Sequence, residues 1–183
     1  EENELPGGTW DDGPTLQHLN EQVKCRFGVD KAIEAYSNYQ FYLDHDAIAT
    51  AGKPEKEIRD FLVAQLLKVP AITNAFPLQE LNQTTLAEPM RTMMTNGFNV
   101  KRCGDIQVIL APGWIEGGKT GTTHGLWYPY DAHIPLVWMG WGIRPGKSNR
   151  TMGMTDISPT LAALLRIQMP SGNVGHVIEE ITR

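Results

Sequence analysis

Cysteine is scarce: Cys25 and Cys103 are the two in a chain of 183 residues. Two thiols this far apart make neither a disulfide framework nor a Cys-based zinc site, and no C-x-x-C pair occurs. They read as small core or surface thiols. Positive charge is also short: 16 Lys and Arg against 21 Asp and Glu leave a formal net charge of -5 and a pI ≈ 5.5. A chain this acidic lacks the electrostatic footprint of a nucleic-acid binder. No apolar run approaches the ~20 residues of a membrane span. The richest stretch, Ile134 to Ile143, is broken by Pro135, Gly140 and Gly142. Neither nucleic acid nor a membrane is therefore expected as a partner. The chain opens on Glu1-Glu2 with no initiator Met and no secretory signal, which reads as a mature form or a cut piece. There is no G-x-S-x-G elbow, no cluster of Asp, Glu and His dense enough for two metals, no internal repeat and no low-complexity tract.

What is present is a globular composition, 41% hydrophobic and 20% charged, enough to build a core. Two parts are expected, 1–112 and 113–183. In the first, a polar Gly/Pro-rich lead is followed by Leu16, Leu19, Val23 and Phe27 at helical spacing. With Gly28 as C-cap they predict a helix over about 15–27. Ile33 to Leu43 favours strand, continuing through a turn at Asp44–Asp46 into a hairpin. Pro54 opens a second helix with Ile58, Phe61, Leu62 and Leu66 on its apolar face, closed by Pro70. Ala71 to Phe76 is a short strand. Leu86, Met90, Met93 and Met94 mark a third helix ended by Asn96-Gly97, the methionines reading as core. Asp105 to Ala111 is a further strand. This order predicts a small α+β lobe, βαβ-like, with helices on one sheet face. In the second part, Ile134 to Met139 predicts a buried strand. Ile157, Leu161, Leu164 and Leu165 predict a helix capped by Thr155 or Asp156 and packed on that strand through Leu161 and Leu165.

Gly113 to Thr120 matches the G-x-x-x-x-G-K-[ST] pattern of a phosphate-binding loop. Such a loop needs a helix starting at Lys119-Thr120 to aim N–H groups at phosphate. The following GTTHGLWYPY, with Gly121, Gly125, Pro129 and two β-branched threonines, is a poor helix. The match therefore reads as a flexible glycine loop. Of the five histidines, none is paired at H-x-x-x-H spacing. His124 stands out between Gly121 and Gly125, before the expected strand. His133 follows Asp131, a carboxylate able to orient an imidazole. On composition alone, a structural role is a better reading of either histidine than ligation. The residues alone do not assemble a complete active site.

GTTHGLWYPYDAHIPLVWMGWGIRPG (121–146) and TDISPTLAALLRIQMPSGNVG (155–175) together resemble the C-terminal end of the alkaline phosphatase superfamily. The likeness is nearest to its bacterial alkaline phosphatase and type I phosphodiesterase/nucleotide pyrophosphatase branch. The shared features are a G-[ST]-x-H-G turn, Y-D-x-H-[IV]-P-L, and T-D-I-[AS]-P-T-L-A-x-L-L, in that order. ELPGG, SNYQFYLD and NGFNVKRCGDI upstream are similar as well, so the likeness runs through nearly the whole chain. It implies an α/β fold: the C-terminal portion of an alkaline-phosphatase-like domain, made of the small lobe plus a strand–helix unit of the main sheet.

The resemblance further implies a zinc-dependent phosphate ester hydrolase with two Zn²⁺ ions in the intact parent. The nucleophile, most ligands and an Asp-His-Gly motif would lie in a preceding part. Here Asp44-His45 is followed by Asp46. The likeness makes His124 a metal ligand, with Asp131 and His133 as second-shell or structural residues, and assigns this chain no catalytic residue of its own. On that view the isolated chain is inactive and binds no zinc of its own. The substrate of the parent is a phosphate ester, and the location is periplasmic or secreted. Self-association is expected through surface that a missing half would cover. Other hydrolases of the superfamily, sulfatases among them, remain open. So does a non-catalytic interaction module built on an exposed patch of Trp127, Tyr128, Tyr130 and Trp138.

Overall fold

A computed structural model describes residues 6–118 and 124–182. It is mixed α/β, and it divides into two compact units, Glu1–His133 and Ile134–Arg183. Lys119 and Thr120 of the phosphate-loop match, and Gly121 to Thr123 of the glycine turn, lie outside the described residues. So do Glu4 and Leu5 of the ELPGG stretch.

In the first unit, helix α1 (Asp12–Phe27) begins where Asp11 accepts a hydrogen bond from the Gly13 N–H at 3.1 Å. It ends at Gly28, whose φ of 75° is left-handed and whose N–H reaches the Lys24 carbonyl. That is a glycine C-cap. Leu19 and Val23, one turn apart, are the residues it buries. Helix α2 (His45–Thr50) is short and starts on Asp44, whose carboxylate accepts from the Ala47 N–H. Helix α3 (Glu55–Leu66) follows Pro54 and buries Ile58, Leu62 and Leu66, a stripe at four-residue spacing.

Strands β2 (Ile33–Ser37) and β3 (Gln40–Leu43) form the expected hairpin, but its turn is Asn38-Tyr39, not Asp44–Asp46. Asp44 caps a helix instead, because a side-chain oxygen three residues before a free helical N–H outcompetes a second strand. Strands β4 (Ile72–Pro77) and β5 (Ile106–Leu110) complete a sheet of order β2-β3-β5-β4, antiparallel throughout. β5 lies between β3 and β4, which run in the same direction, so the βαβ unit through α3 is a split one.

β5 is buried along its whole length. Ile106, Val108 and Leu110 join Ile58, Leu62, Leu66, Leu19 and Val23 in the main core. Ile109 points the other way, into a second cluster with Phe76, Leu78, Leu81 and Met94. Met94 belongs to helix α4 (Met90–Gly97). The sheet is therefore covered on both faces, and the expectation of helices on one face alone fails. The strand period of two puts Ile109 opposite Val108, and a buried apolar side chain there needs a cover of its own. Of the methionines, Met94 is core and Met93 is exposed, while Leu86 lies ahead of the helix.

Strands β1 (Gly8–Trp10) and β6 (Trp114–Glu116) pair in parallel as a separate ribbon. The Tyr36 hydroxyl donates to Glu116 at 3.2 Å, and Trp10 meets Tyr36 edge-on, which ties the ribbon to β2. The first half of the phosphate-loop match is thus strand.

The second unit holds a 3-10 turn (Met154–Asp156) running into helix α6 (Ile157–Leu165), then helix α7 (Glu179–Thr182). The buried strand expected over 134–139 is absent. The run has no regular structure, and Val137 and Met139 are 83% and 95% exposed. A strand exists only beside another, and none of the described residues of this unit forms one. For the same reason Leu161 and Leu165 have no strand to pack on and stand 45% and 66% exposed. The helix instead buries Pro159, Thr160 and Ala162.

Candidate functional site

His124 opens a turn that three other parts of the first unit hold in place. Asp131, in helix α5 (Pro129–Ala132), accepts hydrogen bonds on one oxygen from the N–H groups of Gly125 and Leu126, at 2.8 and 2.7 Å. A carboxylate bonded to two amides pins the backbone immediately after His124. Leu126 is buried in the main core. The Tyr128 hydroxyl donates to the Leu110 carbonyl at the end of β5, at 2.8 Å. The Tyr130 hydroxyl accepts from the Gly113 N–H, and the two tyrosine rings stack at 5.5 Å.

The tip of the β2–β3 hairpin supports the same turn. Trp127 lies on Tyr39 with ring centroids 5.7 Å apart. Gly125 has a φ of 113°, and a Cβ there would come within 3.3 Å of the Tyr39 ring. Tyr39 is itself left-handed, at φ 62° beside Asn38 at 51°. Paired left-handed residues suit a two-residue hairpin turn, where asparagine is common and tyrosine is not. The strain of such a residue is of the order of ~1–2 kcal/mol. The Tyr39 hydroxyl is buried with no hydrogen-bond partner among the described residues. Burial, with the charges of Glu116 and Asp131 added, raises its pKa above the ordinary phenol value. Strained backbone and an unpaired buried hydroxyl gather beside the candidate turn, as they often do at functional sites.

His124 is exposed, as is His133, whose N–H donates to the Pro129 carbonyl to close α5. The carboxylate of Asp131 is spent on the turn that follows His124, which places its role one step nearer that residue. Of the aromatics taken as an exposed patch, Trp127 and Tyr128 are half-buried against the core. Tyr39, which sequence reasoning passed over, is the residue that braces this turn. Asn38 before it was the available signal.

A second constellation lies elsewhere in the same unit. His45, Glu55 and Asp105 bring one ligating atom each within 4.8 Å of one another, the one such trio among the described residues. His45 Nδ1 is 2.8 Å from Glu55, and Nε2 is 3.3 Å from Asp105. The hydrogen bond to Glu55 raises the His45 pKa, with the Asp105 charge adding to it and partial burial opposing. The sequence puts His45 in a hairpin turn at Asp44–Asp46, whereas it lies in α2. Its position at the first turn of α2 is what turns it toward Glu55 at the first turn of α3.

No protein-family model matches the chain. It is 42% identical over 166 residues to alkaline phosphatase PafA of Elizabethkingia meningoseptica, an alignment covering 90% of this chain and 30% of that protein. Alkaline phosphatase PhoV of Synechococcus elongatus is 36% identical over 186 residues, 99% of this chain and 32% of that one. A Myroides odoratus protein named calcium-transporting ATPase is 39% identical over 175 residues, 94% of this chain and 32% of that one. The crystal structure of wild-type alkaline phosphatase PafA superposes with a TM-score of 0.93 at 39% identity, covering 100% of this chain and 35% of that chain. The chain is thus alkaline-phosphatase-like in sequence and fold. It spans about a third of the length of the relatives it matches.

Proposed function

From an alkaline-phosphatase-like chain of this extent, we propose the C-terminal portion of a zinc-dependent phosphate ester hydrolase, with His124 as one ligand of its metal centre. The observation that supports the reading is that the Asp131 carboxylate bonds the amides of Gly125 and Leu126, directly after His124, the histidine of the G-[ST]-x-H-G match. A zinc centre takes three or four protein donors. His124 is outside the one ligating trio among the described residues, so these residues do not by themselves build the centre. The remaining donors and the nucleophile belong to the part of the relatives that this chain does not span. Such a metal supplies Lewis-acid stabilisation of phosphoryl charge. This chain's own part is to position one imidazole: Asp131 fixes the backbone, Tyr39 and Trp127 brace it, and His133 closes the supporting helix. The division into 1–112 and 113–183 follows from the same reading, the second segment carrying the family motifs. The reading also places the protein in the periplasm or outside the cell. Among the described residues no helix is long and apolar enough to cross a membrane.

The test uses both the chain and a longer protein containing it. The 183-residue chain is expected not to hydrolyse p-nitrophenyl phosphate or a bis-ester, with or without Zn²⁺. In the longer protein, His124→Ala is expected to empty a zinc site after dialysis and lower activity by orders of magnitude. His133→Ala keeps the zinc and costs at most the ~10–100-fold typical of residues behind a ligand. Turnover by the chain alone overturns the reading. So does a zinc site emptied by His133→Ala and kept by His124→Ala.

A further inference from the structure

We infer that His45 Nε2 and Asp105 Oδ1, with Glu55 orienting the ring and water completing the shell, form a second cation site for a first-row divalent metal of the zinc class, weaker than a three- or four-donor centre and independent of the one proposed at His124. The two carboxylates divide the imidazole nitrogens between them. Glu55 takes Nδ1 at 2.8 Å, a charge-assisted hydrogen-bond distance. This is the carboxylate–histidine arrangement that fixes the ring and leaves the other nitrogen to a metal. Nε2 then faces Asp105 Oδ1 at 3.3 Å, long for a charge-assisted hydrogen bond. Two donors each ~2.0–2.2 Å from a tetrahedral ion stand roughly 3.3–3.6 Å apart, so the gap has the length of one edge of a coordination shell.

Asp105 is preorganised. Its other oxygen accepts from the Leu43 N–H at 2.8 Å, and Oδ1 also accepts from Gln79 Nε2 at 3.3 Å, a bond that a bound ion replaces. Its backbone N–H donates to the Phe41 carbonyl, and its carbonyl accepts from the Leu78 N–H. Gly104 before it lies so close to β3 that a Cβ would meet the Phe41 carbonyl oxygen at 2.8 Å. Asp105 is buried, and its position is set before any ligand arrives.

A cleft opens beside the pair, lined among others by Glu34, Gln79, Cys103 and Lys101. Glu34 and Asp105 in the lining set two carboxylates against Lys101, the one Lys or Arg among the described lining residues, while Glu55 behind His45 is shared with Arg59 at 3.3 Å. A divalent cation offsets that excess, and the cleft has room for water in its open positions. Imidazole with carboxylate favours zinc-class ions, whereas Mg²⁺ and Ca²⁺ prefer all-oxygen shells. Bound there, the ion ties the α2–α3 junction to the start of β5.

The experiment titrates the 183-residue chain with Zn²⁺ by calorimetry and follows its thermal midpoint, with Mg²⁺ and Ca²⁺ as comparators. One equivalent of Zn²⁺ is expected at this site, with a rise in the midpoint, since binding the folded state alone stabilises it. His45→Gln and Asp105→Asn should each weaken that equivalent at least tenfold, and Glu55→Gln about 10–100-fold. Asn keeps an acceptor for the Leu43 N–H, so Asp105→Asn tests ligation apart from folding. His124→Ala should leave this equivalent in place, which separates the result from the fate of the His124 reading. No Zn²⁺ uptake by the chain overturns the inference, leaving a protonated His45 clasp. An isotherm unchanged by His45→Gln and Asp105→Asn, or saturation by Mg²⁺ or Ca²⁺ in preference to Zn²⁺, overturns it too.

Discussion

At the scale of single residues, Asp131 decides whether the candidate turn holds. It accepts two amide hydrogen bonds on one oxygen, and bonds to a charged acceptor are worth ~1.5–3 kcal/mol. Asp131→Ala leaves those two N–H groups without that acceptor. We expect a loss of about 1–3 kcal/mol in urea unfolding, with the loss centred on the first unit. Asp131→Asn, which keeps one acceptor oxygen, should lose less. A variant within about 0.5 kcal/mol of the parent, the range of an ordinary surface substitution, would show that the turn is held by its aromatics instead. The contrast with sequence reasoning is instructive. Adjacency in Asp131-Ala132-His133 suggested a carboxylate serving His133. The helical turn at Pro129–Ala132 directs it back along the chain to Gly125 and Leu126.

At the scale of elements, the stretch from Thr155 to Thr160 shows a motif acting as a joint. Asp156 accepts from the Gly153 N–H and the His176 N–H, both at 2.8 Å. The Thr160 hydroxyl donates to the Asp156 carbonyl and accepts from the Ile178 N–H. Gly175 lies against the Thr155 carbonyl, where a side chain would collide. The start of α6 is thereby fastened to the segment before α7. The His176 amide, foremost, holds the Asp156 carboxyl below its ordinary pKa. A carboxyl depressed in the folded state contributes stability above its unfolded pKa, and that contribution is lost as pH falls through the folded value. Stability of the second unit should therefore decline from about pH 5 downward, where an unfolded Asp begins to protonate. Asp156→Asn should start lower and show a flatter slope over that window, read by hydrogen exchange at the His176 amide. Parallel pH profiles for parent and variant would remove Asp156 from the joint.

At the scale of the whole molecule, the second unit carries apolar surface that its own described residues do not cover. Val137, Met139 and Trp141 are exposed at 83%, 95% and 95%. Contiguous exposed apolar surface marks an interaction site or an aggregation liability. The relatives are about three times longer, which gives this surface a natural cover in a longer protein. The 183-residue chain alone is expected to self-associate, with sedimentation showing weight-average mass rising with concentration. Val137→Lys with Met139→Lys should reduce it. A strictly monomeric chain across a wide concentration range would contradict this.

The sequence by itself determined what depends on neighbours along the chain. The stripes of α1 and α3, their ends at Gly28 and Pro54, the strand at Ile106–Leu110 and the likeness at 121–146 and 155–175 were all legible, because each is a local pattern along the chain, whereas the cap at Asp11, which starts α1 three residues earlier than its apolar period suggests, was not. Tertiary structure decided what depends on a partner far away in sequence. Whether Ile134 to Met139 becomes a strand rests on another strand's free N–H and C=O groups, which no local pattern supplies. That Tyr39 braces Gly125 follows from where a hairpin tip comes to lie. The trio of His45, Glu55 and Asp105 exists because helix starts and a strand start are brought to one place by a core of Ile58, Leu62, Val108 and their neighbours, a convergence that spacing along the chain does not encode.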